Sequence, residues 1–117
     1  MTAQQKVLPA LRLQEAIQGV LELSKFKGPA HGEIASYANM AEGDEIKVWV
    51  QTSTGNSETY LTVVTQAMVG HPTVLKIRRE VFEKNLVPGA TAKLGYKVIP
   101  VAGNPASSPD LVVKVEQ

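Results

Sequence analysis

The segment from Glu45 to Thr65 constrains the fold more than any other part of the chain. Two runs, residues 45–52 and 58–65, are rich in β-branched and aromatic side chains, and apolar residues alternate with polar ones along the first run. The stretch STGNS between them contains Gly55 and Asn56, a pair typical of a two-residue hairpin turn. The segment therefore predicts an antiparallel β-hairpin with strands over 45–52 and 58–65.

A turn at Gly55 and Asn56 fixes the register of this predicted hairpin. Val48 then lies opposite Val63, so that an apolar pair occupies one face. The same face carries Ile46 with Thr65 and Val50 with Leu61, and the opposite face carries Lys47 with Val64, Trp49 with Thr62 and Gln51 with Tyr60. We predict that the first face packs in the core and that Trp49 faces away from it.

The rest of the chain consists of short apolar runs separated by loops rich in Gly and Pro. The strands predicted outside the hairpin cover 20–24, 33–37, 73–78, 91–99 and 110–116, with KGPAHG as a loop before the second of them. Helical spacing competes with strand alternation over 13–24, and we favour a strand in its second half. REVFEKN predicts a single helical turn or an irregular crossover. About seven short strands with almost no helix predict an all-β sandwich of two antiparallel sheets.

Two regions follow from this pattern. Residues 1–16 form an N-terminal lead-in that we expect to be loosely ordered or to pair as an edge strand, and residues 17–117 form the sandwich domain. In the last two strands the alternation places Tyr96 in the core, where its hydroxyl needs a hydrogen-bond partner from the backbone. The apolar neighbours expected around it are Leu94, Val98, Leu111, Val113 and Val115.

Three stretches, GVLEL, MAEGDEIKVWV and LGYKVIPVAGNPASSPDLVVKV, together resemble bacterial immunoglobulin-like and fibronectin-type domains. The resemblance covers about residues 17–116 and implies two packed antiparallel sheets, with the Trp49 strand between the 58–65 and 91–99 strands. It also implies a secreted or cell-surface module for spacing, adhesion or carbohydrate binding. Ala92 departs from the pattern, because it stands where a corner tyrosine is expected. Trp49 departs too, because it is one residue out of the inward phase.

Composition excludes several classes of function. The chain has 117 residues, enough for one core, and its 12 basic and 11 acidic residues give a charge of +1, far from the balance of a dedicated nucleic-acid binder. The absence of cysteine excludes disulfides and thiolate metal sites. The apolar stretch from Val7 to Leu11 is too short for a signal peptide, and no segment approaches the roughly 18 apolar residues that span a bilayer. We expect no nucleic-acid partner and no membrane insertion.

The sequence carries no catalytic signature. His31 and His71 lie in predicted loops without metal-binding spacing, and no serine lies in a GxSxG motif. Glu42, Asp44 and Glu45 could bind calcium through carboxylate oxygens, but no DxDxDG-type loop surrounds them, and we interpret the turn as solvated. We therefore expect a protein that is not an enzyme and that needs neither a cofactor nor a metal.

The single tryptophan is the remaining candidate for function. Gly95 is predicted to point outward beside Trp49, where the indole can cover the bare glycine backbone with lysine stems packed on the ring. The alternative is an exposed patch that contacts a protein or a glycan. Its residues would be Trp49, Tyr60, Lys47, Lys93 and Lys97. The sequence thus predicts a non-catalytic module for adhesion, spacing or protein interaction, or alternatively a small carbohydrate-binding module.

Overall fold

A computed structural model describes residues 8–117 of the protein. Nine strands lie in this range, together with one short α-helix, α1 (Arg79–Glu83), after the sixth strand and two 3-10 turns, Leu23–Lys25 and Gln66–Met68. In chain order the strands are β1 (Arg12–Leu13), β2 (Val20–Glu22), β3 (Ala30–Ile34), β4 (Glu45–Thr52), β5 (Ser57–Val63), β6 (Thr73–Ile77), β7 (Thr91–Ile99), β8 (Ala106–Ser107) and β9 (Leu111–Glu116).

The strands form two sheets. The smaller sheet has the order β1-β3-β6, and the larger has the order β2-β9-β7-β4-β5, with β8 paired to β7. One apolar core joins them, with Leu13, Ala30, Ile34 and Ile77 from the smaller sheet and Ile46, Val48, Val50, Leu94, Tyr96, Val98, Val113 and Val115 from the larger. This confirms the predicted all-β sandwich and places β4 between β5 and β7. The pairing is not antiparallel throughout, because β2 and β9 run parallel.

Most predicted elements lie where the alternation placed them. Strands occupy 45–52, 91–99 and 111–116, and REVFE forms the single helical turn. The strand predicted over 20–24 ends at Glu22, because Leu23–Lys25 form a 3-10 turn. The predicted strand over 33–37 is displaced, because β3 begins at Ala30 inside the expected loop. Gly32 belongs to this strand and fits there since it lacks a side chain: a Cβ atom at this position would lie 3.2 Å from the Cδ1 of Ile77.

The register predicted for the β4–β5 hairpin is wrong by three residues. Val48 lies opposite Tyr60 rather than Val63. The strands are joined by a three-residue loop closed by Thr52, whose amide donates to the carbonyl of Asn56 at 2.8 Å. Gly55 takes the left-handed position of this loop, with φ at 97°. Such a loop needs glycine at its third residue, and a two-residue turn over Gly55 and Asn56 does not form.

Because the register differs by an odd number of residues, every side chain of β5 lies on the face opposite to the predicted one. Leu61 and Val63, predicted to face the core, are 63% and 50% exposed, whereas Val64, predicted to face outward, is buried. Tyr60 moves to the inner face of the strand for the same reason, since side chains alternate between faces with a period of two.

The lead-in belongs to the core from residue 8 onward. Leu8, Leu11 and Leu13 are buried, and β1 pairs with β3 as an edge strand. The hydroxyl of the fully buried Tyr96 donates to the carbonyl of Pro9 at 2.6 Å, which confirms the predicted backbone partner. The core packing is therefore continuous across residue 17, where the sandwich domain was predicted to begin. Residues 1–7 of the predicted lead-in lie outside the described residues.

Candidate functional site

Trp49 lies on the outer face of the larger sheet, as predicted. Its neighbour on β7 is Gly95, directly opposite. A Cβ atom at position 95 would lie 2.7 Å from the indole Cζ2 and 3.0 Å from Nε1, so the ring rests against the glycine backbone. Gly95 is buried beneath it, and Trp49 itself remains half-buried. The prediction that the indole covers Gly95 is thereby confirmed.

The three predicted lysines share this face. Lys47 lies directly opposite Lys97 on one side of the Trp49–Gly95 pair, and Lys93 lies opposite Gln51 on the other side. Like charges in directly opposed positions of two strands repel each other. The strand pairing therefore places three positive charges around the indole, and one negative charge, that of the exposed Glu45, lies two residues before Lys47 on the same face.

Tyr60 does not belong to this surface, which corrects the predicted patch. Its hydroxyl donates to the carboxylate of Glu58 and accepts a bond from the backbone amide of Arg78 at 3.1 Å. Burial, followed by the bond to Glu58, raises the pKa of Tyr60. The side chain links the edge of the larger sheet to the end of β6.

Three exposed apolar side chains take the place of Tyr60 on this face. Leu61 lies opposite Lys47, Val63 opposite Glu45, and Val112 opposite Lys93. Val112 is 57% exposed, and its outward phase follows from the alternation in β9. We call the surface formed by Trp49, Leu61, Val63, Val112, Lys47, Lys93 and Lys97 the Trp49 face. Leu61 and Val63 were missed because the hairpin register was misassigned.

Asp44, the central residue of the acidic turn, has a structural role. Asp44 is only 1% exposed, and its carboxylate accepts bonds from the Tyr37 hydroxyl at 2.7 Å, the Ala41 amide at 3.1 Å and the Val101 amide at 3.0 Å. Burial and the bond to Asp44 raise the pKa of Tyr37. Asp44 therefore joins two loops instead of facing solvent. Within residues 8–117, no cluster of three or more His, Cys, Asp or Glu side chains could hold a metal.

His31 also has a structural role, and it lies in a strand rather than in the predicted loop. It lies in β3, with its Nδ1 atom 2.6 Å from the Oε2 atom of Glu15. The second oxygen of Glu15 accepts the backbone amide of His31 at 2.7 Å. This pair of contacts ties the segment after β1 to β3, and it forms no part of the Trp49 face.

A surface hollow of about 400 Å³ lies between the β4–β5 loop and α1. Three of its four charged side chains are paired with one another, because Arg78 lies 3.2 Å from the carboxylate of Glu58 and 2.9 Å from that of Glu80; the fourth is Lys84. Such mutual pairing offers no poised acid, base or nucleophile. The Trp49 face is therefore the stronger candidate for function.

The function of this protein has to be inferred from its geometry, because known proteins offer no relative for comparison. No protein-family model matches the chain, and no curated protein or solved structure has a significant similarity to it. In the part of the chain that the structure covers, no helix is long and apolar enough to cross a membrane.

Proposed function

We propose that this protein is a non-catalytic, immunoglobulin-like module that binds a protein partner through the Trp49 face. The observation that carries the proposal is the combination of Trp49, three lysines and three exposed apolar side chains on one continuous sheet surface. Contiguous exposed apolar side chains on a soluble domain commonly mark an interaction site. Tryptophan is also among the residues that contribute most to protein interfaces.

The sheet order supports the immunoglobulin-like part of this proposal. In such sandwiches the first, second, fourth and fifth strands lie in one sheet, and the third, sixth and seventh lie in the other. With the short β2 and β8 set aside, β1, β3 and β6 correspond to the first, second and fifth strands, and β4, β7 and β9 to the third, sixth and seventh. The strand in fourth place, β5, departs from this division, because it pairs with β4 in the larger sheet. Modules with this arrangement serve recognition in many unrelated settings, so the partner has to be inferred from the surface itself.

The charges on the Trp49 face favour an acidic partner. Lys47 and Lys97 oppose each other across two strands, and Lys93 lies beyond the indole. A carboxylate placed between the first two lysines would relieve their repulsion and form charge-assisted hydrogen bonds. The exposed Leu61 and Val112 would pack against apolar residues of the same partner. An extended segment that mixes acidic and apolar residues fits both requirements.

A glycan is the second candidate ligand because of one specific feature. One side of the Trp49 ring lies against Gly95, and the ring is still half-buried rather than covered. The remaining aromatic surface could stack on a sugar ring. This ligand would depend on the indole more than on the lysines.

Selection from a displayed random-peptide library on the immobilised protein, beside a glycan array, tests the two ligands. We expect acidic, apolar peptides to be enriched, and we expect the double substitution Lys47→Glu with Lys97→Glu to weaken them at least about tenfold. Lys76→Glu, on the smaller sheet, is the matched control and should leave affinity unchanged.

The outcomes separate the alternatives. Glycan binding that is lost in Trp49→Ala and retained in the double lysine variant supports the carbohydrate-binding module. Peptides that bind the double variant as well as the wild type contradict the acidic-partner proposal, and so does the absence of binders in both screens.

A further inference from the structure

Strand β5 is the outermost strand of the larger sheet, and one of its edges is open. It runs over Ser57–Val63 and pairs with β4 alone among the strands in residues 8–117. The amide of Val64 donates to the carbonyl of Asp44 at 2.8 Å, and the carbonyl of Asn56 accepts from Thr52, so even-numbered residues bond toward β4. In an antiparallel ladder the alternate residues direct their amides and carbonyls the other way.

The open edge therefore presents the backbone groups of Ser57, Thr59, Leu61 and Val63. All four residues are exposed. Proteins commonly protect such edges with charged side chains, lysine above all, or with proline, a bulge or a very short strand. Ser57–Val63 contains neither lysine nor proline, and its pairing with β4 is continuous over seven residues.

The other edges are better protected. β1 and β2 are two and three residues long, and β6 carries the exposed Lys76. On β5 the single charged residue, Glu58, is already engaged with Arg78 and Tyr60. Within residues 8–117, the β5 edge thus combines length, backbone groups without a partner strand and exposed apolar side chains.

We propose that the β5 edge pairs antiparallel with the β5 edge of a second copy of the chain, which joins two larger sheets into one. An antiparallel edge is self-complementary about a two-fold axis, so both copies offer the same donors and acceptors to each other. Pairing centred on Leu61 places Leu61 against Leu61 and Thr59 against Val63 on the Trp49 face. Such apolar and β-branched pairs stabilise adjacent strands.

The charged side chains on and near β5 do not oppose the pairing of two β5 edges. On the inner face the same register places Tyr60 opposite Thr62 and Glu58 opposite Val64, so like charges do not meet. The two copies of Lys47 would be separated by three strand spacings, about 14 Å. That distance exceeds the Debye length of about 8 Å at physiological salt, so their repulsion is largely screened. The net charge of +1 on each chain adds little.

The dimer is expected to be weak, because one strand pair buries less surface than a standard stable interface. Sedimentation velocity on the full chain, from about 10 μM to about 1 mM, should show a dimer that grows with concentration. Amide hydrogen exchange over the same range should slow at Thr59, Leu61 and Val63, which assigns the interface to this edge.

Two substitutions test the edge directly. Thr59→Pro removes an amide that points away from β4, and proline is tolerated at such edge positions. Leu61→Lys places two positive charges at the two-fold axis and should fold, since Leu61 is exposed. Each variant should require at least tenfold higher concentration to dimerise. Val74→Lys on the β6 edge is the matched control and should dimerise like the wild type.

A chain that stays monomeric up to about 1 mM overturns the proposal. A dimer that survives both β5 substitutions overturns it as well, because a different surface must then be responsible. Leu61 belongs to both proposed surfaces, but neither result bears on the charge contacts of Lys47 and Lys97 with a peptide, since those residues lie on β4 and β7.

Discussion

The indole of Trp49 lies against the backbone of Gly95, and a Cβ atom on that residue would come within 2.7 Å of the ring. The two positions are directly opposed on β4 and β7. Glycine inside a strand leaves its backbone uncovered, and an aromatic side chain on the neighbouring strand can cover it. The ring thus has a structural role on one side and an accessible surface on the other.

Gly95→Ala should push the ring away from the sheet. We expect a red shift in tryptophan emission and a loss of about 1 kcal/mol or more in the free energy of unfolding, because a side chain must fit where contact is already close. The control is to make the same substitution in the Trp49→Ala variant, where the added methyl group meets no indole. There, Gly95→Ala should be neutral or slightly stabilising. Urea unfolding of all four proteins measures this coupling, and additive effects would contradict the contact.

Leu94→Ala and Leu61→Ala should differ strongly although they delete the same atoms. Leu94 is fully buried, so its truncation should cost about 2 to 5 kcal/mol. Leu61 is 63% exposed, and its truncation should change stability by less than about 0.5 kcal/mol. Urea midpoints compare the two directly. Similar losses in both variants would mean that β5 has the opposite phase.

Tyr96→Phe should loosen the segment before β1. The Tyr96 hydroxyl donates to the carbonyl of Pro9, and its removal leaves that acceptor without this donor, at a cost of about 1 to 2 kcal/mol. Amide exchange at Leu11 and Leu13 should accelerate more than exchange at Val48 in the core. Uniform acceleration across the chain would indicate a general loss of stability without a local role for this bond.

Stability should fall at alkaline pH in a manner that depends on Tyr96. Burial raises its pKa to about 12 from an ordinary value of 10.0, so the folded state favours the neutral hydroxyl. This contribution is complete below pH 10 and is lost as the pH rises through about 12. Urea unfolding from pH 8 upward should have a shallower alkaline decline in Tyr96→Phe. Some decline should remain, because the pKa values of Tyr37 and Tyr60 are raised too.

Asp44→Ala should be among the most damaging single changes. It removes the acceptor of the Tyr37 hydroxyl and of the Ala41 and Val101 amides, and we expect a loss of about 3 kcal/mol in the free energy of unfolding. Glu42→Ala in the same turn is the control, since that side chain is exposed, and it should change stability by less than about 0.5 kcal/mol. Equal effects would show that the buried carboxylate is dispensable.

The candidate surface was predictable in part. Trp49, Lys47, Lys93 and Lys97 lie where the strand alternation placed them, because the face that a residue occupies follows from its own strand once the core side is known. Tyr60 was misplaced, and Leu61 and Val63 were assigned to the wrong face, because their positions depend on how β5 joins β4. One error in register therefore changed three members of the surface.

The sequence by itself determined where the main strands lie and the phase of β4, β7 and β9, since apolar alternation is local and reports which side of a strand is buried. Only the tertiary structure decided the hairpin register. The side chain of Asn56, which in sequence favours a two-residue turn, donates to the carbonyls of Val81 and Lys84 at 3.0 Å and 2.7 Å. It does so from the base of a three-residue loop. Those acceptors lie 25 and 28 residues further along the chain, beyond the reach of any local pattern.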